Sequence, residues 1–182
     1  SIGLKSGILF KRASALENVA RIDTVLFDKT GTLTSGSFGV TDLLPVDGIE
    51  ADELLRTAVA IEAGSTHPLA TAVVAHAAGR DFMPMAIGGV TEVGGHGLIA
   101  QSEGAPLVAG NRRLCEREGI ELAPLAVDEA RLAGEGKSIV FVARNQQLLG
   151  LIALADTVKP EAIEAIRRLH ALGLKTALIT GD

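Results

Sequence analysis

Thr24-Val25-Leu26-Phe27-Asp28-Lys29-Thr30-Gly31-Thr32-Leu33-Thr34 is the stretch that decides how this chain folds. A strand-forming run leads straight into a carboxylate, and the carboxylate opens a turn of small hydroxyl residues and a glycine. In an open α/β sheet the C-terminal end of a strand faces the crevice where ligands sit. Gly31 permits a tight turn whose N–H groups converge on an anion. Lys29 adds positive charge, and the hydroxyls of Thr30, Thr32 and Thr34 offer further donors. The arrangement suits a phosphoryl group, with Asp28 at its head.

Outward from this motif the organisation is discontinuous. Ser35-Gly36-Ser37 reads as a linker. A helix is expected from about Glu50 to Ala63, with Leu54, Leu55, Ala58 and Ile61 at helical spacing and Gly64 as its stop. A second runs from Pro68, suited to a first helical position, to Gly79. Short β segments broken by glycines fill Ala86 to Ala109. Short helices follow Asn111 and span Asp128 to Ala133. Ser138–Ala143 and Gln147–Leu154 form a hairpin. Pro160 then opens a helix through Leu172, and Leu174 to Ile179 reads as a buried strand ending in Thr180-Gly181-Asp182. The strands that end in Asp28 and Thr180 are expected as neighbours in one parallel sheet, with the intervening chain as an insert outside it.

The insert carries its own constellation. Glu62, Ser65, His67 and Pro68 gather where one helix ends and the next begins. A residue before proline is pushed to an extended backbone, which places the His67 ring at a helix N-terminus, able to stack on or hydrogen-bond a purine. Gly94-Gly95-His96-Gly97 lets the backbone approach a ligand closely. Gly110-Asn111 follows a strand-like run and fits a helix cap.

Composition excludes several functions. The net charge is −5, aromatics are 3% and no basic run occurs, so nucleic-acid binding has no electrostatic footprint. The single Cys115 rules out a disulfide framework and reads as a small buried hydrophobe. No apolar stretch approaches the ~20 residues of a membrane span.

The Asp28–Thr34 run resembles the phosphorylation motif of P-type ATPases, members of the haloacid-dehalogenase superfamily. The resemblance implies an α/β fold: a Rossmann-type phosphorylation domain, carrying an inserted α+β nucleotide-binding domain on an antiparallel sheet. It implies that Asp28 attacks the γ-phosphate of ATP and becomes an aspartyl phosphate. Lys29, Thr30 and Thr180 would act beside it, Asp182 would complete the second phosphate-binding motif, and Mg²⁺ would be held at Asp28 and Thr30. Phosphatases of the superfamily usually carry a second Asp two positions after the nucleophile. Thr30 stands there and cannot serve as a general base, so the phosphoenzyme should persist, which favours a pump over a phosphatase.

The insert is similar to that of the heavy-metal-transporting (P1B) subgroup, with its His-Pro pair, G-x-G and Gly-Asn. By position Glu62 and His67 would contact the adenine end, Gly95 and Gly97 would line adenine and ribose, and Gly110-Asn111 would close the pocket. Thr66 departs from the family's more usual Glu. Gly7-Ile8-Leu9-Phe10-Lys11 with Ala15-Leu16-Glu17 resembles the link from a membrane helix, and Asp156–Glu161 the return into the phosphorylation domain, read as hinge and helix start. The expected domains are residues 1–36 and 155–182 for phosphorylation and 37–154 for nucleotide binding. The family continues past Thr-Gly-Asp to a lysine and a Gly-Asp-Gly-x-x-Asp segment. This polypeptide is therefore expected to be a cytosolic region of an integral membrane protein, with an incomplete phosphorylation domain, weak ATP binding and little turnover alone. Membrane and actuator domains would be its partners. The transported ion, Cu⁺ or Zn²⁺/Cd²⁺, stays open because selectivity lies in membrane ligands. A soluble phosphatase or a non-catalytic nucleotide-binding module are the alternatives.

Overall fold

The computed structural model describes residues 13–83 and 85–179. In chain order these form α1 (Ala13–Val19), β1 (Thr24–Asp28), a π-helical turn (Lys29–Leu33), β2 (Thr34–Pro45), α2 (Ala51–Glu62), α3 (Pro68–His76), β3 (Gly88–Val93), β4 (Gly97–Ser102), β5 (Ala105–Gly110), α4 (Arg112–Arg117), α5 (Ala126–Gly134), β6 (Ser138–Arg144), β7 (Gln147–Val158), α6 (Pro160–Ala171) and β8 (Lys175–Ile179). They belong to two units, Ser1–Gly36 with Val158–Asp182, and Ser37–Thr157. The leading Gly7–Lys11 segment and Thr180-Gly181-Asp182 lie outside the described residues.

In the first unit β1 and β8 pair in parallel, with Thr24 opposite Lys175 and Asp28 opposite Ile179. The expected neighbours in one parallel sheet are thus observed. Pro160 sits in the first turn of α6, where its missing N–H costs nothing, and Gly173 turns the chain with φ +79°. One expectation fails. The strand before Thr180 is not buried: Leu178 and Ile179 are 50% and 55% exposed, and Leu26 on β1 is 60% exposed. Among the described residues no third strand joins this pair, and two strands alone cover little surface.

The second unit is a three-layer sandwich. Its six-stranded sheet has the order β2-β7-β6-β5-β4-β3, antiparallel at each pairing from β3 through β7. Alternation along the strands sorts side chains to two faces. Val140 and Val142 of β6 join Leu54, Leu55, Ala58 and Ile61 of α2 and Val73 of α3 in one core. Phe141 and Ala143 face the other way, onto Leu114 and Cys115 of α4 and Leu132 of α5. Cys115 is fully buried, and burial pushes its thiol up to about 12, as a packing residue requires. The β6–β7 hairpin turns through Asn145 and Gln146, both at positive φ, as a tight two-residue hairpin demands.

Two boundaries differ from the sequence reading. Ser35-Gly36-Ser37 is not a linker but part of β2, and β7 runs past Leu154 to Val158. Each is a 12-residue strand, and they lie side by side in the sheet. Ladder pairing satisfies backbone groups that a polar, glycine-rich composition would otherwise leave to a loop. A register shift in the β6–β7 ladder, which pairs Val142 with Gly150 but Ala143 with Leu148, swings Leu149 and Leu151 to opposite cores.

Gly150 is where β2 closes over this bulge. A Cβ there would lie 2.5 Å from the Leu44 carbonyl oxygen and 2.9 Å from Pro45 Cα, backbone atoms that cannot swing aside. Gly150→Ala is expected to destabilise the chain by about 1–3 kcal/mol. Gly64→Ala, where a Cβ meets nothing within 4 Å, should stay near neutral. Urea unfolding midpoints of the two variants check this, and equal midpoints would refute the packing account.

Candidate functional site

Asp28 is the last residue of β1, extended (φ −72°, ψ 139°), with no capping bond from its side chain to the following turn. It is exposed, so its carboxylate is presented to solvent at the strand's C-terminal end. The turn behind it is held from two directions. Thr34 is buried, at 5% exposure, and its Oγ1 donates to the Lys29 carbonyl (3.0 Å) and accepts from the Gly31 N–H (3.3 Å). Its hydroxyl therefore braces the loop and is not available as a phosphate donor, contrary to the sequence reading. From α6's start, Lys159 donates its Nζ to the Gly31 carbonyl (2.6 Å) and its N–H to the Leu33 carbonyl (2.9 Å). Lys159 was read only as part of a hinge, and nothing in its sequence context foretold this contact. Gly31 takes φ +79°, the left-handed conformation that glycine adopts without strain. Thr180 and Asp182 lie outside the described residues. Among the described residues no group of three or more His, Cys, Asp or Glu side chains is placed to hold a metal.

The second site is an open cavity of about 240 Å³ in the Ser37–Thr157 unit, and it gathers Glu62, His67, Gly95, Gly97, Gly110 and Asn111. These six span nearly fifty positions of sequence. Leu69, Val93, Leu98, Ile139 and Val140 add an apolar lining, which the sequence reading missed because those residues look like ordinary core.

Each polar group is positioned locally. His67 caps α3: its Nδ1 accepts from the Leu69 N–H (3.2 Å), and its own N–H donates to Ser65 Oγ (3.2 Å). A ring that accepts at Nδ1 carries its proton on Nε2, so its remaining polar atom is a donor. Asn111 caps α4, accepting from the Leu114 N–H (3.1 Å) at Oδ1. Its Nδ2 donates to the Gly95 carbonyl (3.1 Å) and lies 3.4 Å from His96 Nδ1. Both ends of the Asn111 amide are thus engaged by the protein, so it clamps the glycine loop and has little left for a ligand. Gly97 and Gly110 are register partners at the ends of β4 and β5. A Cβ on Gly97 would lie 2.2 Å from the Ala109 carbonyl oxygen, and one on Gly110 2.5 Å from the His96 carbonyl oxygen. Gly95, with open space around it, is required only for its φ of +72°.

Glu62 ends α2 and is 7% exposed. Burial pushes its carboxyl up to about 7, and the negative end of the helix dipole acts in the same direction. A carboxyl raised in the folded state binds a proton that the unfolded chain, near 4.5, has already lost. Stability is then fully present below about pH 4.5, declines as pH rises, and levels off above about 7. Glu62→Gln removes this decline. It should raise stability at pH 8, relative to its effect at pH 5, by on the order of 3 kcal/mol or less. Parallel urea titrations at the two pH values check it, and an unchanged difference would place the burial cost elsewhere.

Residues 22–182 match the family described as haloacid dehalogenase-like hydrolase. The probable copper-exporting P-type ATPase V of Mycobacterium tuberculosis is 43% identical over 184 residues, covering 99% of this chain and 24% of that protein. The cadmium, zinc and cobalt-transporting ATPase of Bacillus subtilis is 41% identical over 179 residues, covering 98% and 24%. The crystal structure of a zinc-transporting PIB-type ATPase in its E2.Pi state matches with a TM-score of 0.85 at 37% identity, covering 99% of this chain and 29% of that one. The chain spans about a quarter of the length of these relatives. It belongs to the haloacid dehalogenase-like hydrolase family, and the relatives that match nearly all of its residues are metal-transporting P-type ATPases.

Proposed function

We propose that this chain is the ATP-binding and phosphorylation region of a heavy-metal-transporting P-type ATPase, working on the cytoplasmic side of a membrane. ATP binds in the cavity of the Ser37–Thr157 unit. An Asp28 carboxylate oxygen then attacks the γ-phosphorus, the bond to the β-phosphate oxygen breaks, ADP leaves and an aspartyl phosphate remains. The observation that carries this reading is the convergence of Glu62, His67, Gly95, Gly97, Gly110 and Asn111 on one cavity. That cavity lies in the chain inserted between Asp28's strand and its parallel partner.

At the reacting end the chain's own residues divide the work. Asp28 is the nucleophile, and Lys29 offsets charge on the incoming phosphate. Thr34 and Lys159 keep the Lys29–Leu33 turn in shape. Thr30 has no base chemistry to offer a water, so the acyl phosphate survives long enough to be coupled to metal movement. A hard carboxylate such as Asp28 fits Mg²⁺, which commonly takes one or two carboxylates together with phosphate oxygens. Asp28 and Thr30 would hold it, and its chemical contribution is to neutralise phosphate charge. Thr180 and Asp182 complete the proposed phosphate site. The named relatives transport copper in one case and cadmium, zinc and cobalt in another, so the cargo is proposed only as Cu⁺ or Zn²⁺/Cd²⁺. Membrane and actuator domains of the same protein are the proposed partners.

The test uses the intact parent protein with [γ-³²P]ATP. An acid-stable, hydroxylamine-labile phosphoprotein that vanishes in Asp28→Asn is expected, whereas a phosphatase would release phosphate from small esters and accumulate no such species. For the nucleotide end, an NMR titration of this chain compares it with His67→Asn, which keeps a capping side chain and removes the imidazole. ATP affinity should fall about tenfold or more, in line with the loss of one ring contact and one hydrogen bond. Equal affinities would sink the assignment of His67.

A further inference from the structure

Among the described residues Glu62 is the single buried charged side chain. Its carboxyl has no hydrogen-bond or ion-pair partner there, and desolvation alone accounts for its altered acidity. Charged groups that deep inside a protein are normally paired. An unpartnered one that lines a cavity is a group waiting for a ligand. The other titratable groups around the cavity are His67 at the start of α3, Glu92 on β3 and His96 in the β3–β4 turn. The linings from β4, β5 and β6 contribute none, and no Lys or Arg among the described residues lines the cavity. Among the described residues no ion pair or hydrogen bond stabilises an ionised Glu62, and the C-terminal end of α2 opposes it.

We infer that Glu62 reads the nucleotide base as a neutral carboxylic acid, and that its ionisation switches the pocket's preference from adenine towards guanine. The inference rests on the nucleotide reading above and deepens it. A protonated carboxyl offers one O–H donor beside one carbonyl acceptor. Adenine presents the complement on its Watson–Crick edge, with ring nitrogen N1 as acceptor beside the N6 amine as donor. A carboxylate has acceptors only. It leaves adenine N1 unmet and pairs instead with the adjacent N1–H and N2 amine donors of guanine. The neutral acid can also meet guanine, at O6 and N1–H, so it is ionisation, which leaves a desolvated adenine N1 unpaired, that moves the preference towards guanine.

The test measures ATP and GTP affinity of this chain at pH 6 and pH 8 by NMR titration, which also reports whether the fold is intact. The triphosphate's own titration is common to both nucleotides and cancels in the ratio of their affinities. The ATP-to-GTP preference should fall by about tenfold or more between pH 6 and pH 8, as expected for one proton linked to binding. Glu62→Gln keeps a donor beside an acceptor, so it should hold the pH 6 preference at both pH values. A ratio that is the same at pH 6 and pH 8 in the unsubstituted chain overturns the inference, whatever the variant does. So does a ratio that still moves with pH in Glu62→Gln, which would place the linked proton on another group. Failure of either nucleotide to bind at any pH would overturn the nucleotide reading itself and this inference with it.

Discussion

The cavity exists because two strands meet where neither partner has a side chain. Gly97 and Gly110 face each other across the β4–β5 ladder, and a methyl on either would drive into the other's backbone neighbours. That approach lets the β3–β4 turn fold back over the end of β5. There the Asn111 N–H donates to the His96 carbonyl (2.8 Å) and the Asn111 side chain holds the Gly95 carbonyl. The G-x-G and the Gly-Asn are therefore halves of one device. The glycines permit contact and the asparagine locks it, so the floor of the pocket is ordered before any ligand arrives. Preorganisation of this kind limits the ordering cost of binding.

The Asp28 turn achieves rigidity by different means. A turn rich in glycine and threonine has many conformations to lose, and here three side-chain bonds remove that freedom: two to Thr34 and one from Lys159. The Lys159 bond joins residues 128 positions apart, so it forms only once β1 and the start of α6 are side by side. The backbone beside Asp28, the proposed nucleophile, is thus set by the chain's return to the same unit. In the proposed role, an Asp28 held this way would spend less of the binding free energy on orientation.

Much of this was legible in the sequence. Proline at the start of α3 and α6, glycine after α2 and α6, and helical spacing of Leu54, Leu55, Ala58 and Ile61 locate helices because each acts within a few residues. Asp28 at a strand end is equally local. What escaped was set by neighbours distant in sequence. Ser35-Gly36-Ser37 has linker composition and is strand because β7 lies beside it. Thr34 looked like one more hydroxyl for a ligand and is consumed by its own turn. Asn111 lines the pocket as expected, but its role as a clamp on the glycine loop did not show in the sequence. The six pocket residues were legible only as separate motifs. No local rule brings positions 62 and 111 together; the sheet order does.

The two units differ in how far they satisfy themselves. The Ser37–Thr157 sheet carries a helix-backed core on each face, and every group that shapes its cavity lies within that span. The parallel pair β1–β8 is a structure normally buried on both faces, yet Val19, Ile22, Leu26, Ile163, Leu178 and Ile179 are all more than 40% exposed. Apolar area on that scale favours contact with further protein surface. The cavity is thus shaped by residues of its own unit, while the Asp28 loop sits on a layer that leaves apolar side chains exposed among the described residues. The proposed nucleotide selection accordingly depends on the Ser37–Thr157 unit alone. The proposed phosphoryl transfer depends on the Asp28 loop, whose supporting layer leaves apolar side chains exposed among the described residues.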